Sequence, residues 1–152
     1  MAERIKFLDG EMEMEYTRSP GKLLGRFLSE LRDNGDIYGI RCSKCSQVFV
    51  PPQQYCPDCK IKMQSWVLMP EEAVVEQFTI VQEETPFSDL KPPYAYVAVR
   101  FEGANSLFWH RMKNPDSLKA LKKGVKVIPK FLDVEKRTGS ILDIDEFIIS
   151  KE

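Results

Sequence analysis

The chain has 152 residues, 43% hydrophobic and 30% charged, with 22 basic against 23 acidic side chains and a net charge of −1. This composition belongs to a globular protein with a modest core and excludes fibrous and disordered classes. No apolar run approaches the roughly 18 residues of a membrane span, and the opening MAERIKFLDGEMEMEY has no signal-peptide core, so a cytoplasmic protein is expected.

Residues 1–18 are acidic and weakly patterned, and read as a second helix or an arm. Next comes a helix: Ser19 can cap, Pro20 fits the first helical position, and the pattern ends near Asn34-Gly35. Leu23, Leu24, Phe27, Leu28 and Leu31 recur at three- and four-residue spacing, giving one apolar stripe opposite Lys22, Arg26, Glu30 and Arg32. The stripe either packs on the rest of the protein or docks a partner, with Leu24, Phe27, Leu28 and Leu31 as the docking candidates.

All four cysteines lie in CSKCSQVFVPPQQYCPDC, as two C-x2-C pairs separated by ten residues. In a reducing compartment, paired C-x2-C turns point to a metal site before disulfides. Four thiolates suit a tetrahedral ion, each pair being presented by a tight turn and the intervening hairpin bringing the turns together. The reading is a zinc ribbon with Cys42, Cys45, Cys56 and Cys59 as ligands. Gln47 to Val50 form its short strand, and Pro51-Pro52 stop it. With every position filled by protein, the ion is a structural staple without an open site for chemistry. Iron in a rubredoxin-like electron carrier is the competitor, because four thiolates also accept iron.

Beyond about residue 70 the period changes to two. Strands are predicted over 73–81, 94–101, 106–112, 125–132 and 141–149, with a short helix in NPDSLKALKKG, capped by Asn114 and closed by Gly124. Five strands with one helix after the third predict a closed barrel of the OB-fold type, and Pro129 must then lie at an edge or bulge. The fold class is thus mostly β with an N-terminal helix. It divides into a helical segment (1–37), a rubredoxin-like ribbon (38–69) and a five-stranded OB barrel (70–152).

Ribbon plus OB barrel invites a nucleic-acid reading, but an overall charge of −1 and a pI near 6.0 argue against such a partner. Charge is nonetheless segregated: residues 111–137 hold nine Lys/Arg against three acids, a local excess of six. A local basic zone on an acidic protein suits one compact polyanion, such as a nucleotide with a few phosphates. Catalytic constellations are scarce. His110, the single histidine, has no nucleophile motif nearby, Asp143, Asp145 and Glu146 read as a solvated face, and no Gly-rich phosphate loop is present. A binding or scaffolding role is favoured over catalysis.

Several pieces together resemble a known family: the helix with Phe27-Leu28 and Leu31, the lead-in Tyr38-Gly39-Ile40-Arg41-Cys42, Cys45, Val50-Pro51-Pro52 and Cys56-Pro57-x-Cys59. Phe78-Thr79, Pro93-Tyr94 and Leu121-x-x-Gly124-x-x-Val127 extend the likeness into the second half. The family is the rubredoxin-like zinc ribbon plus OB-fold proteins associated with acyl-CoA enzymes, once catalogued as domain of unknown function thirty-five. The chain departs from the pattern at Ser46, where glycine commonly follows the first C-x2-C, and at Gln53, where the Pro-Pro-Arg triplet commonly ends.

The resemblance implies zinc on the four cysteines and a non-catalytic scaffold role beside thiolase-superfamily enzymes in lipid or isoprenoid metabolism. Its implied partners are an acetoacetyl-CoA thiolase and 3-hydroxy-3-methylglutaryl-CoA synthase, with which such a protein helps form a shared CoA site. On that expectation CoA or acyl-CoA is the ligand. Arg100, Arg111, Lys113, Lys126 and Lys130 would meet its phosphates, and Phe108 and Trp109 its apolar arm. The alternative is an OB-fold nucleic-acid module in which aromatic residues stack bases.

Overall fold

The computed structural model describes residues 10, 14, 17–84, 86 and 88–150. The acidic arm expected over residues 1–18 lies outside them, apart from residues 10, 14, 17 and 18, which are exposed.

Helix α1 runs Gly21–Asp33. Its N-cap is Pro20, one residue later than expected from Ser19, whose hydroxyl instead accepts the Gly21 N–H at 3.3 Å. At the far end the N–H groups of Asn34 and Gly35 both turn back to the Glu30 carbonyl, and Gly35 takes the left-handed φ of +73° that closes a helix. The ribbon follows as three short antiparallel strands, β1 (Tyr38–Arg41), β2 (Val48–Phe49) and β3 (Ser65–Leu68), in the order β2-β1-β3. Gly39 permits the tight fit of β1 on β2: a Cβ there would meet Val48 Cγ1 and Val50 Cγ2 at 2.9 Å.

The second half contains β4 (Ala73–Val81), β5 (Tyr94–Phe101), β6 (Phe108–Met112), helix α2 (Pro115–Lys119), β7 (Lys126–Phe131) and β8 (Ile144–Ile149). The five strands pair antiparallel in the order β6-β5-β4-β7-β8. α2 stands where a helix was expected, capped by Asn114, whose side chain accepts the N–H groups of Asp116 and Ser117. The fifth strand starts later than expected. Residues 141–143 form a 3-10 turn with a capping box between Ser140 and Asp143. Pro129 faces Phe147 beside a register shift at Lys130/Phe131, and β7 meets β4 only at Val127 and Lys126, so the proline breaks no ladder on the β4 side.

Side chains draw the two ends of this sheet together. His110 Nε2 donates to the Ile144 carbonyl at 2.6 Å, Arg111 Nε donates to the Asp145 carbonyl at 2.7 Å, and Glu146 Oε2 accepts the N–H groups of Lys113 and Asn114. Inside, Phe101, Phe108 and Phe147 meet with ring centroids 6.1–6.3 Å apart among Val75, Val97, Val99, Met112, Val127 and Ile144. Each such ring contributes about 1.5–3 kcal/mol by leaving water.

The same core includes Phe27 and Leu31 of α1 and Ile37, Val48 and Val50 of the ribbon, so helix, ribbon base and sheet share one interior. A second, smaller cluster of Ile40, Cys42, Phe49, Cys56 and Met63 lies under the cysteines.

Candidate metal centre and surrounding surfaces

Each C-x2-C pair sits on a turn of the same construction. Ser46 N–H bonds the Cys42 carbonyl at 2.9 Å and Cys42 N–H bonds the Gln47 carbonyl at 2.8 Å; Lys60 and Cys56 repeat this with Cys56 and Ile61 at 3.0 and 2.9 Å. Both turns need one left-handed residue, and they place Ser46 at φ +62° and Lys60 at φ +58°. These side chains do without the glycine that would take the conformation freely.

The turns bring the four Sγ atoms within 4.8 Å of one another, with Cys45 and Cys56 at 3.7 Å. Zinc–sulfur bonds of about 2.3 Å in a tetrahedron set the sulfurs about 3.8 Å apart, so the donor set fits a tetrahedral ion. Cys42 and Cys56 are fully buried, while Cys45 and Cys59 lie nearer the surface. The Cys45 backbone N–H holds the Cys42 thiol down to about 7, and burial followed by the neighbouring sulfurs pushes Cys59 up to about 12. Sulfurs this crowded cannot all carry negative charge unless a cation shares them. The Cys59 N–H also points to Cys56 Sγ at 3.5 Å, the kind of donor that supports a metal-bound thiolate.

The apolar stripe of α1 faces inward. Phe27 and Leu31 are wholly buried and Leu28 packs against the same core, which corrects their assignment to a docking face; of the four candidates only Leu24 is exposed. A stripe says that one helix face is apolar without saying what covers it.

The ligand candidates on the sheet divide as well. Phe108 lies in the core of the five-stranded sheet, out of reach of a CoA arm, whereas Trp109, the next residue on the strand, is exposed. The cations are each set against an acid. Arg100 pairs with Glu76 at 2.9 Å, Arg111 and Lys113 with Asp145, Lys126 with Glu72 at 3.0 Å, and Lys130 with Glu146 at 3.7 Å. Arg100 holds the Glu76 carboxyl below the usual range, as the Ser150 hydroxyl and Lys126 do for Glu72. The basic zone seen in sequence is therefore largely neutralised in space.

Two of the acids are not a solvated face. Asp143 is buried, accepting the N–H groups of Thr138, Gly139 and Ser140, and Glu146 is buried as described above. The fold gives both a cross-strand or turn-capping task. His110 is also buried, and desolvation lowers its pKa below the ordinary imidazole value.

Two further sets of residues escaped the sequence reading. Asn105 and Ser106, in the β5–β6 turn, bond β2 edge to edge: Asn105 Oδ1 accepts the Val48 N–H at 2.9 Å, its own N–H donates to the Val48 carbonyl at 2.8 Å, and Ser106 Oγ accepts the Val50 N–H at 2.7 Å. A groove of about 700 Å³ between α1 and the ribbon is lined by Lys22, Leu23, Arg26, Lys62, Met63 and Trp66 among others. Lys22 and Arg26 were visible on the polar helix face, but nothing local links them to Lys62 or Trp66. Among the described residues no helix is long and apolar enough to cross a membrane.

Comparison with known proteins bears on the cysteine region and on the wider fold. Residues 29–61 match the ChsH2 rubredoxin-like zinc ribbon domain. Among solved structures, a protein of unknown function from the DUF35 family of Sulfolobus solfataricus is 27% identical, covering 72% of this chain and 77% of its own, with a TM-score of 0.59. The Ltp2-ChsH2(DUF35) aldolase is similar in fold at 18% identity, covering 79% of this chain and 92% of its own, with a TM-score of 0.57. Among curated protein sequences none matches. The chain carries a rubredoxin-like zinc ribbon of the ChsH2 type joined to a five-stranded sheet, in a fold it shares with DUF35 proteins.

Proposed function

We propose that this protein is a non-catalytic scaffold that docks on a thiolase-superfamily enzyme and helps it handle an acyl-CoA substrate. The observation that carries the reading is the combination of a closed four-cysteine centre with a filled sheet core and exposed apolar residues outside it. Tyr96 and Trp109 stand on one face of β5–β6, and Phe78 and Ile80 on the other face of the β4–β5 hairpin, each 38–53% exposed. Beyond a bulge at Val75/Gln77, β4 no longer pairs with β7, so its second half is an open edge of the β6-β5-β4 sheet. Apolar residues displayed beside an open strand edge suit a protein partner.

The fold likeness to a DUF35 protein named in complex with the Ltp2 aldolase supports the same class of partner. A metal held by four thiolates keeps no position for substrate, so zinc here acts as a staple for the docking module. His110 is buried in the sheet core, which leaves it no open face toward a substrate. We read the five-stranded sheet, closed through His110, Arg111 and Glu146, as an OB barrel, with 1–37, 38–69 and 70–152 as its functional units. The specific partners, acetoacetyl-CoA thiolase or 3-hydroxy-3-methylglutaryl-CoA synthase, and the acyl-CoA contacts of Arg100, Trp109, Arg111, Lys113, Lys126 and Lys130 belong to this proposal.

The test is affinity capture of the tagged protein from its source cells, with mass spectrometry and metal analysis of the product. Recovery of a thiolase-superfamily enzyme, lost in a Phe78→Ala/Trp109→Ala variant, supports the scaffold. Recovery of nucleic acid in its place supports the OB-fold alternative, and bound iron with a red colour supports an electron carrier.

A further inference from the structure

The cations of the barrel sit on carboxylates, whereas two of the three around the α1–ribbon groove do not. Lys22 and Lys62 form no ion pair among the described residues, and no Asp or Glu lines the groove. Arg26 approaches Glu30 only at 3.7 Å, while that carboxylate accepts the Asn34 side chain at 2.8 Å. Its guanidinium lies 4.5 Å from the centre of the Trp66 ring, held there as a cation on an aromatic face. Leu23, Met63 and Trp66 give the groove an apolar floor, and Gln54 and Gln64 add amide groups that can donate or accept.

Three cations line one cavity that no carboxylate lines, with Glu30 near Arg26 alone; they repel one another, and that repulsion is relieved by an anion. An apolar floor beneath them adds a place for the uncharged part of the same ligand. We infer that this groove is a binding site for an organic phosphate, a phosphate or diphosphate group carried on an apolar or planar body. Lys22 and Lys62 meet the phosphate oxygens as point charges, and Arg26 offers its fork of donors from above Trp66. The site is separate from the barrel surface to which sequence had directed the ligand. It differs from that surface in one physical respect: two of its three cations, Lys22 and Lys62, have no ion pair among the described residues.

The test uses the full metal-loaded chain without any partner, in a Trp109→Phe background so that emission reports Trp66 alone. Adenosine diphosphate is titrated, with inorganic pyrophosphate and adenosine as the two halves of the probe. The expected result is saturable quenching by adenosine diphosphate that weakens with salt and exceeds the response to either half. Lys22→Ala/Lys62→Ala should weaken it about tenfold, the equivalent of one charge-assisted hydrogen bond. Lys119→Ala/Lys136→Ala, at exposed lysines outside every proposed contact, should leave it unchanged. Both pairs are at the surface, so circular dichroism and metal content serve as the check on folding.

The inference is overturned by an absence of saturable binding, by equal binding of pyrophosphate alone, or by a loss in the Lys119→Ala/Lys136→Ala variant and not the groove variant. It requires no partner enzyme, so its failure leaves the docking proposal standing, and a failed capture leaves this site standing.

Discussion

Under the four cysteines lie five buried residues, two of which are themselves cysteines, whereas the shared core joins eighteen from α1, the ribbon base and the sheet. The cysteine knuckles therefore depend on coordination bonds, which supply on the order of 10 kcal/mol in sites of this kind, and the sheet depends on apolar area and ring packing. The same chain uses two means of ordering itself, according to how much apolar surface each part can bury. The difference teaches where each part is vulnerable.

The largest effect is expected from taking the metal away. A strong chelator, or Cys42→Ser, should abolish hydrogen-exchange protection at Ile40–Ile61 while β5 and β6 keep theirs; equal loss in both regions would show a single cooperative unit. Next, Phe108→Ala should cost about 3–5 kcal/mol in denaturant unfolding and leave metal stoichiometry unchanged, since Phe108 lies in the sheet core. The link between the regions is tested by Asn105→Ala, which removes the acceptor for Val48 N–H. A loss of about 1–2 kcal/mol, with exchange at Val48 rising most, is the expected outcome.

Smaller still, Ser46→Gly should stabilise the first knuckle by roughly 0.5–1 kcal/mol by relieving its left-handed φ, read as greater resistance to chelator. The last effect appears only against pH. Burial lowers the folded pKa of His110, so the unfolded chain takes the proton first. Both states are neutral well above the ordinary value of 6.5, and stability should fall as pH drops through it, levelling below the folded pKa. His110→Gln, which retains a donor toward Ile144, should flatten that segment of the profile.

Much of this was legible in the chain. The limits of β4 and β5 coincide with the period-two runs, and the C-x2-C spacing defines the knuckles, because both are local patterns. What covers an apolar face is not local, and so Phe27 and Leu31 could be assigned to a partner when they belong inside. Two signals were available and unused. Adjacent strand residues point to opposite faces, so Phe108 and Trp109 could not both serve one ligand. Ser140-x-x-Asp143 is a capping box, which would have delayed the start of the last strand. The pairing of the lysines could not be seen, since it rests on which strands become neighbours: Lys130 meets Glu146 only because β7 lies against β8.

The edge contacts of Asn105 and Ser106 also bear on how the chain can be cut. Val48 bonds a side chain 57 positions away, so the ribbon sheet is completed by a turn belonging to the other half of the sequence. A ribbon excised at residues 38–69 would keep all four metal ligands and lose that cover, leaving the amide edge of β2 open to another copy. Such a fragment should load metal and then self-associate. The working boundary of the ribbon therefore runs through the β5–β6 turn, which no division of the sequence into consecutive segments can place with it.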